Sequence, residues 1–166
     1  LVEVVHANLP PTITAEVTSL IMGQDSEEPL GLSVTLSDPD AAEGAVFTLT
    51  ARATHGVLRS ESVAATPAEG AELMLACSVA CMRAAVAELV LIPPADFAGR
   101  ASIQLELGDN GHTGVGGART ATLAFDVLVL AVSSATSAYL PALECLEDSA
   151  VVLDGLTLLD GDANGA

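Results

Sequence analysis

The chain has 166 residues, of which 51% are hydrophobic and only 2% aromatic, and 22 acidic against five basic residues give a formal net charge of −17. Nucleic acids and anionic membrane surfaces are therefore disfavoured as partners, because both bind basic protein surfaces. The scarcity of aromatic side chains argues against an aromatic-lined ligand pocket, whereas abundant carboxylates suit a hard divalent cation such as calcium.

Short segments in which apolar and polar residues alternate, separated by turn residues, predict β-strands along most of the chain. The predicted strands cover residues 12–17, 30–36, 46–51, 57–58, 72–76, 89–92, 101–107 and 119–132. Residues 60–70, rich in Ala, Ser, Thr and Pro, are predicted to be a loop, as is the glycine-rich segment 108–117. Residues 1–5 alternate like a strand and lack the basic start of a secretion signal.

Residues 79–89 depart from this pattern, because they are rich in Ala, Met, Arg and Glu, which are strong helix formers. We predict two or three helical turns here, with Ser78 as the N-cap residue. The interpretation that we favour is a crossover helix that covers a sheet edge, and a partner-binding helix is the alternative.

The three cysteines, Cys77, Cys81 and Cys145, are all candidates for disulfide bonds. The spacing of Cys77 and Cys81 does not match zinc or redox motifs. Either these two form a local disulfide in an oxidising compartment, or they are two small buried hydrophobic residues. The odd count leaves at least one thiol unpaired or paired outside this segment.

A pattern near residue 38 returns about 120 residues later: a glycine precedes an alternating strand that ends in Asp-x-Asp-Ala, at Asp38 and again at Asp160. A period of this length predicts tandem repeats of domain size. The predicted organisation is a terminal strand and linker of a preceding repeat (1–9), a complete repeat (10–132), a linker (133–141) and the start of the next repeat (142–166).

Several motifs follow one another in a specific order: Leu-Ser-Asp-Pro-Asp-Ala at 36–41, Thr-His-Gly-Val-Leu at 54–58, the helix, Pro-Pro-Ala-Asp-Phe-Ala-Gly at 93–99, and Asp-Asn-Gly at 109–111. In this order the chain resembles the cadherin-like tandem repeats, of the tandem-95 and VCBS types, of large bacterial and protist surface proteins. The resemblance implies an all-β fold, a Greek-key β-sandwich of the cadherin or Ig kind with one short helix. It also implies an extracellular or cell-surface location and calcium near the repeat junctions.

The calcium ligands that the resemblance implies are all acidic residues at matching positions. They are Glu28, Asp38, Asp40, Asp96 and Asp109 in the complete repeat, and Glu147, Asp160 and Asp162 in the partial one. The linkers depart from the family pattern, because they lack its Asp-rich run, and Asn8 is the one candidate ligand there. The alternative interpretation stays open, since Asp-Pro-Asp-Ala and Asp-Asn-Gly are also good β-turn sequences.

The predicted function is that of a structural repeat of a large surface or filament-forming protein, stiffened by calcium. Its partners would be neighbouring repeats or other copies in a fibre. The alternative is an adhesive module whose loops contact a protein or glycan, although binding hot spots favour the Trp, Tyr and Arg that are scarce here.

An enzyme is not predicted, because no nucleophile and base accompany the histidines. Membrane insertion is not predicted either, since the most apolar stretch, 121–132, is too short to span a bilayer as a helix.

Overall fold

The computed structural model describes residues 6–27, 29–111 and 114–132, together with the backbone of two short strands further along the chain. The chain divides into two compact units, Leu1–Ala131 and Val132–Ala166. The described residues are mostly β-strand with one short helix, which confirms the predicted all-β class. None of the helical residues in these ranges forms a segment long and apolar enough to cross a membrane.

The strands and the helix of the first unit follow one another closely along the chain. They are β1 (Thr12–Ala15), β2 (Ser19–Gly23), β3 (Val34–Ser37), β4 (Val46–Ala53), β5 (Val57–Arg59), β6 (Ala65–Thr66), β7 (Glu69–Gly70), β8 (Glu72–Ser78), α1 (Val79–Ala87), β9 (Val90–Ile92), β10 (Gly99–Gly108) and β11 (Thr120–Leu130). In the second unit, β12 (Ser137–Tyr139) pairs antiparallel with β13 (Thr157–Leu159).

The main sheet of the first unit has six strands in the order β2-β11-β10-β4-β8-β6. Its pairs are antiparallel, except that β2 runs parallel to β11. Two smaller antiparallel sheets are formed by β1 with β3 and by β7, β5 and β9. In β4 the alternation dictates the burial, because Phe47, Leu49 and Ala51 are buried while Thr48 and Thr50 lie on the other, partly exposed face.

One continuous hydrophobic core joins the main sheet, the smaller sheets and the helix. It includes Leu36 of β3, Leu58 of β5, Met82 of α1, Ile103 of β10 and Phe125 of β11, all almost fully buried. Fully burying an aliphatic or aromatic side chain of this size contributes about 1.5–3 kcal/mol to stability. The core is therefore what positions the loops at each end of the main sheet.

Helix α1 confirms the predicted helical segment and buries Met82, Ala85 and Val86. Ser78 occupies the N-cap position, but its side chain makes no capping hydrogen bond. Cys77, near the end of β8, forms a disulfide with Cys81 in the first turn of α1, with the two Cα atoms 6.0 Å apart. The structure thus favours the disulfide over two buried thiols.

Two sequence predictions differ from the structure. Residues 60–70, predicted to be a loop, contain β6 and β7, which pair with β8 and β5. Strand β2 was not predicted, although it forms one edge of the main sheet. In both cases a strand exists because of its partner rather than because of its own pattern, as long-range pairing can override local preference.

Two motifs that carry the sequence resemblance contact each other where β4 ends. The rings of His55 and Phe97 are stacked, with centroids 4.9 Å apart and planes inclined by 17°. Gly56, with φ of +85°, turns the chain from β4 into β5 directly against the carbonyl of Ile92. The turn at 54–56 and the loop at 93–99 are therefore a packed pair that closes this end of the sheet.

Candidate functional site

Three of the predicted ligands lie together at one end of the first unit, which we call the acidic end. Asp38 and Asp40 follow β3, and Asp109 follows β10. The carboxyl groups are close enough that the charges of Asp40 and Asp109 act on Asp38. The chain reaches the same end through residues His6–Leu9, which we call the lead-in segment.

Asp109 is the centre of the hydrogen bonds at the acidic end, and only 3% of it is exposed. One carboxylate oxygen, Oδ1, accepts hydrogen bonds from the backbone N–H of Gly111 and of Arg119, both at 2.8 Å. The other, Oδ2, accepts one from the side-chain amide of Asn8 at 2.7 Å. The backbone N–H of Asp109 also donates to the Arg119 carbonyl at 3.1 Å. One side chain thus closes the loop 109–119 and holds the lead-in segment.

The pKa of Asp109 follows from this environment. Burial on its own raises the pKa, because a carboxylate loses hydration in the protein interior. The hydrogen bonds from Arg119, Gly111 and Asn8 stabilise the charged form and outweigh burial, so the pKa lies below the ordinary value of 3.8. Asp109 is therefore a carboxylate at neutral pH.

The lead-in segment is fixed to the 109–119 loop through both its backbone and a side chain. The backbone N–H of Asn8 donates to the Val115 carbonyl at 2.9 Å, and the N–H of Val115 donates to the His6 carbonyl at 2.8 Å. The Asn8 side chain, which is 4% exposed, also donates to the Gly117 carbonyl at 2.8 Å. Gly114 permits this approach, because a Cβ there would lie 2.6 Å from the Asn8 nitrogen.

The Asp38-Pro39-Asp40 segment forms turn contacts as well as an acidic pair. The backbone N–H of Asp40 donates to Asp38 Oδ1 at 3.2 Å, the local contact of an Asx-turn. The N–H of Leu9 donates to Asp40 Oδ2 at 3.0 Å, a second tie between the lead-in segment and this end. The turn interpretation of this motif is therefore supported by direct contacts.

The two carboxyl groups of this turn also disfavour each other's charge. Burial, the hydrogen bond to the Asp40 side chain and the nearby charges of Asp40 and Asp109 raise the pKa of Asp38 above 3.8. A backbone hydrogen bond from Asp40 opposes that shift only in part. A positive ion at this position would relieve the repulsion.

Asn110 contributes to the acidic end through contacts that were not predicted from the sequence. Asn110, with φ of +58°, accepts a hydrogen bond from the Thr48 hydroxyl and donates one to the Val46 carbonyl, both at 2.9 Å. It thereby attaches the 109–119 loop to the start of β4. The signal was present in the sequence, since Asn before Gly favours a left-handed turn residue, but the contact partners lie more than 60 residues away.

The structure does not bring Asp96 to the acidic end. Asp96 precedes β10 and Asp109 follows it, so the ten residues of this strand separate them by about 30 Å. The remaining ligand candidates lie outside the described residues. They are Glu28, Glu147, Asp160 and Asp162. Cys145 and His112 also lie outside the described residues.

Within the part of the chain that the structure describes, no three His, Cys, Asp or Glu side chains form a group that could hold a metal ion. The three carboxylates at the acidic end are nevertheless ligands of the kind that a hard cation prefers. A shallow depression of about 500 Å³ lies beside Asp38, between the β3–β4 loop and the start of α1, and small residues dominate its lining.

Comparison with models of protein families, with curated proteins and with solved structures gives no match. The resemblance to cadherin-like repeats therefore stays a prediction from the sequence motifs.

Proposed function

We propose that the chain is an extracellular structural module, a Greek-key β-sandwich in a tandem array within a large surface or filament-forming protein. The observation that carries this proposal is the buried hydrogen bond between Asn8 and Asp109, which fixes the lead-in segment to the loop after β10. In a tandem array, a segment held in this way would couple a preceding repeat to the sheet. Such a rigid junction is what an extended stalk requires.

Two further features support an extracellular structural role. The disulfide between Cys77 and Cys81 is a bond that persists in oxidising compartments. The net charge of −17 keeps a chain rich in Ala, Val and Leu in solution and disfavours nonspecific association.

The junction is tested by the dynamics of the lead-in segment in the full chain. We expect the amides of Asn8 and Val115 to exchange slowly with solvent, because each donates to a backbone carbonyl. Their NMR order parameters should match those of β10, about 0.85. Order parameters below about 0.6 at Asn8 would show a flexible linker and would contradict the structural role.

Calcium is the second part of the proposal, and the residues that would take it are Asp38, Asp40 and Asp109. Their carboxylate oxygens are the ligands that calcium prefers, although it takes six to eight in all. Burial is the largest cause of the raised pKa of Asp38, and the charges of Asp40 and Asp109 add to it. These neighbouring like charges support the proposal, because they favour the binding of a cation. The ion would stiffen the junction that the hydrogen bonds already form.

Thermal unfolding of the full chain in EDTA and in about 2 mM calcium tests this part. A Kd of about 10⁻⁴–10⁻³ M, typical of extracellular modules, should raise Tm by about 2–8 °C. Asp38→Asn should remove the calcium shift yet raise Tm slightly in EDTA, since it removes a like charge. Asp25→Asn is the matched control, because Asp25 is exposed, follows β2 and has a positive φ that Asn tolerates.

The outcomes separate the two parts of the proposal. An equal calcium shift in wild type and in Asp38→Asn would place the ion elsewhere. No change in the Tm of wild type on addition of calcium would contradict the calcium site. The rigid junction would then be tested separately by the order parameters at Asn8.

A further inference from the structure

Strand β2 forms an edge of the main sheet, and its pairing with β11 leaves its other side without a strand among the described residues. Native proteins usually protect such an edge with Lys, Pro or a bulge, because unpaired backbone groups bind other strands. Residues 17–23 contain neither a charged residue nor a proline. The β2 edge is therefore unprotected by its own sequence.

Two hydrogen bonds that flank β2 show which of its backbone groups face β11. The N–H of Asp126 donates to the Thr18 carbonyl, and the N–H of Gln24 donates to the Leu130 carbonyl, both at 2.8 Å. In a parallel pair, every second residue of a strand bonds to the neighbouring strand. Residues 18, 20, 22 and 24 therefore bond to β11.

The alternate residues of β2, Ser19, Ile21 and Gly23, direct their backbone N–H and C=O groups away from the sheet, and among these the Gly23 carbonyl already accepts a hydrogen bond from the Ser26 N–H at 3.4 Å. The side chain of Ile21 lies on the outer face and is 71% exposed. Its neighbour across the ladder, Leu128, and the next outward residue of β11, Leu130, are 39% and 48% exposed. The edge thus combines free hydrogen-bonding groups with an apolar strip.

Acidic residues border this strip at both ends. Glu16 precedes β2, Asp25 follows it, and Asp126 lies beside Ser19 on the neighbouring strand; all three are exposed. One cation, Arg100, lies on β10, opposite Leu128. The charge that a strand docked along β2 would meet at its two ends is therefore negative.

From these observations we propose that the β2 edge binds an extended peptide segment by strand addition. The segment has β-branched apolar residues at alternate positions and a basic residue at each end. Backbone hydrogen bonds to Ser19, to Ile21 and to the N–H of Gly23 supply the affinity, and the apolar side chains cover Ile21 and Leu128. The basic ends meet Glu16, three residues before β2, and Asp25, two residues after it.

A second copy of the chain is a poorer occupant. Antiparallel pairing of two β2 strands around Ile21 would bring Glu16 of one copy close to Asp25 of the other at both ends. Like charges placed opposite each other destabilise strand pairing, and each copy carries a net charge of −17. The charge pattern therefore selects a basic partner.

The test is a titration of the full chain with the blocked peptide Lys-Thr-Val-Thr-Val-Thr-Val-Thr-Lys, followed by fluorescence anisotropy at low ionic strength. The control peptide has Glu in place of both Lys. Ile21→Pro removes the outward N–H without removing a bond to β11, and proline is tolerated at such an edge position. Ile21→Thr is the matched variant, since it keeps that N–H and a β-branched side chain. Circular dichroism and thermal unfolding establish that both variants are folded.

We expect Ile21→Pro to weaken binding of the Lys peptide at least about tenfold and Ile21→Thr to weaken it less. The Glu peptide should bind at least about tenfold more weakly, with a difference that shrinks as salt is added. Equal affinity of wild type and Ile21→Pro, or no binding at about 1 mM peptide, would overturn the edge site. Equal affinity of both peptides would overturn the basic partner. A dimer in sedimentation equilibrium that Ile21→Pro dissociates would make a second copy the occupant instead.

Discussion

Asp109→Ala should lower the free energy of unfolding by about 3–5 kcal/mol. The substitution removes the acceptor of three hydrogen bonds. The backbone N–H groups of Gly111 and Arg119 and the side-chain amide of Asn8 then lose the carboxylate to which they donate. A buried donor that loses its partner costs about 1–3 kcal/mol, although the loop can relax and recover part of that loss. Urea denaturation of the full chain, followed by circular dichroism, measures the effect.

Asp126→Ala is the control for this substitution. Asp126 lies on the exposed face of β11, so its loss should change stability by no more than about 0.5 kcal/mol. The local readout is hydrogen exchange at Asn8, which Asp109→Ala should accelerate while the centre of β10 stays protected. A loss below about 1 kcal/mol, or unchanged exchange at Asn8, would show that Asp109 does not hold the lead-in segment.

The stabilisation that Asp109 contributes should also depend on pH. The folded state lowers the pKa of Asp109 below 3.8, so its carboxylate stabilises the fold fully above that pH. The contribution is lost as the pH falls from 3.8 through the pKa of the folded state. The difference in stability between wild type and Asp109→Ala should therefore be largest above pH 4 and shrink below it.

The strands that the sequence predicted well are those whose alternation is regular. In β4, β8 and β10 every second residue is buried, so the sequence pattern itself distinguishes the core face from the outer face. The helix was also predictable, because six of the nine residues of Val79–Ala87 are Ala, Met or Arg, which are strong helix formers.

Strand β2 could not be predicted in the same way. Ser19-Leu20-Ile21-Met22-Gly23 has three consecutive apolar residues, a pattern that does not distinguish a strand from a short helix or a loop. Its conformation depends on parallel pairing with β11, about 107 residues further along the chain. The two-residue strands β6 and β7 are too short to show any period at all.

The acidic end was predicted in part. The Asp-x-Asp motif and Asp109 were identified from turn sequences and resemblance, and the fold places them together. The sequence suggested Asn8 as a metal ligand through its oxygen, whereas the structure shows its nitrogen donating to Asp109. Asp96 was grouped with the others by resemblance, although the strand that separates it from Asp109 places the two at opposite ends of β10.

Gly56→Ala is the second substitution with a large expected effect, a loss of about 2–5 kcal/mol in the free energy of unfolding. Gly56 has φ of +85°, a conformation that costs an L-residue about 1–2 kcal/mol. A Cβ at this position would lie 2.2 Å from the Ile92 carbonyl oxygen and 3.0 Å from the Cα of Pro93. These are backbone atoms of β9 and the residue that follows it, so the clash can be relieved only by displacing β5 from β9.

Gly44→Ala separates the two contributions to this loss. Gly44 has a similar φ of +79°, but nothing lies within 4 Å of the position of an added Cβ, so only the conformational cost of about 1–2 kcal/mol applies. The stacked rings of His55 and Phe97 offer a local reporter, since displacement of the 54–56 turn should change the chemical shifts of the His55 ring protons. Equal losses for the two substitutions, with unchanged His55 signals, would mean that the turn does not pack against Ile92. A larger loss for Gly56→Ala would show that this contact fixes the closure of the β4–β5 turn on β9.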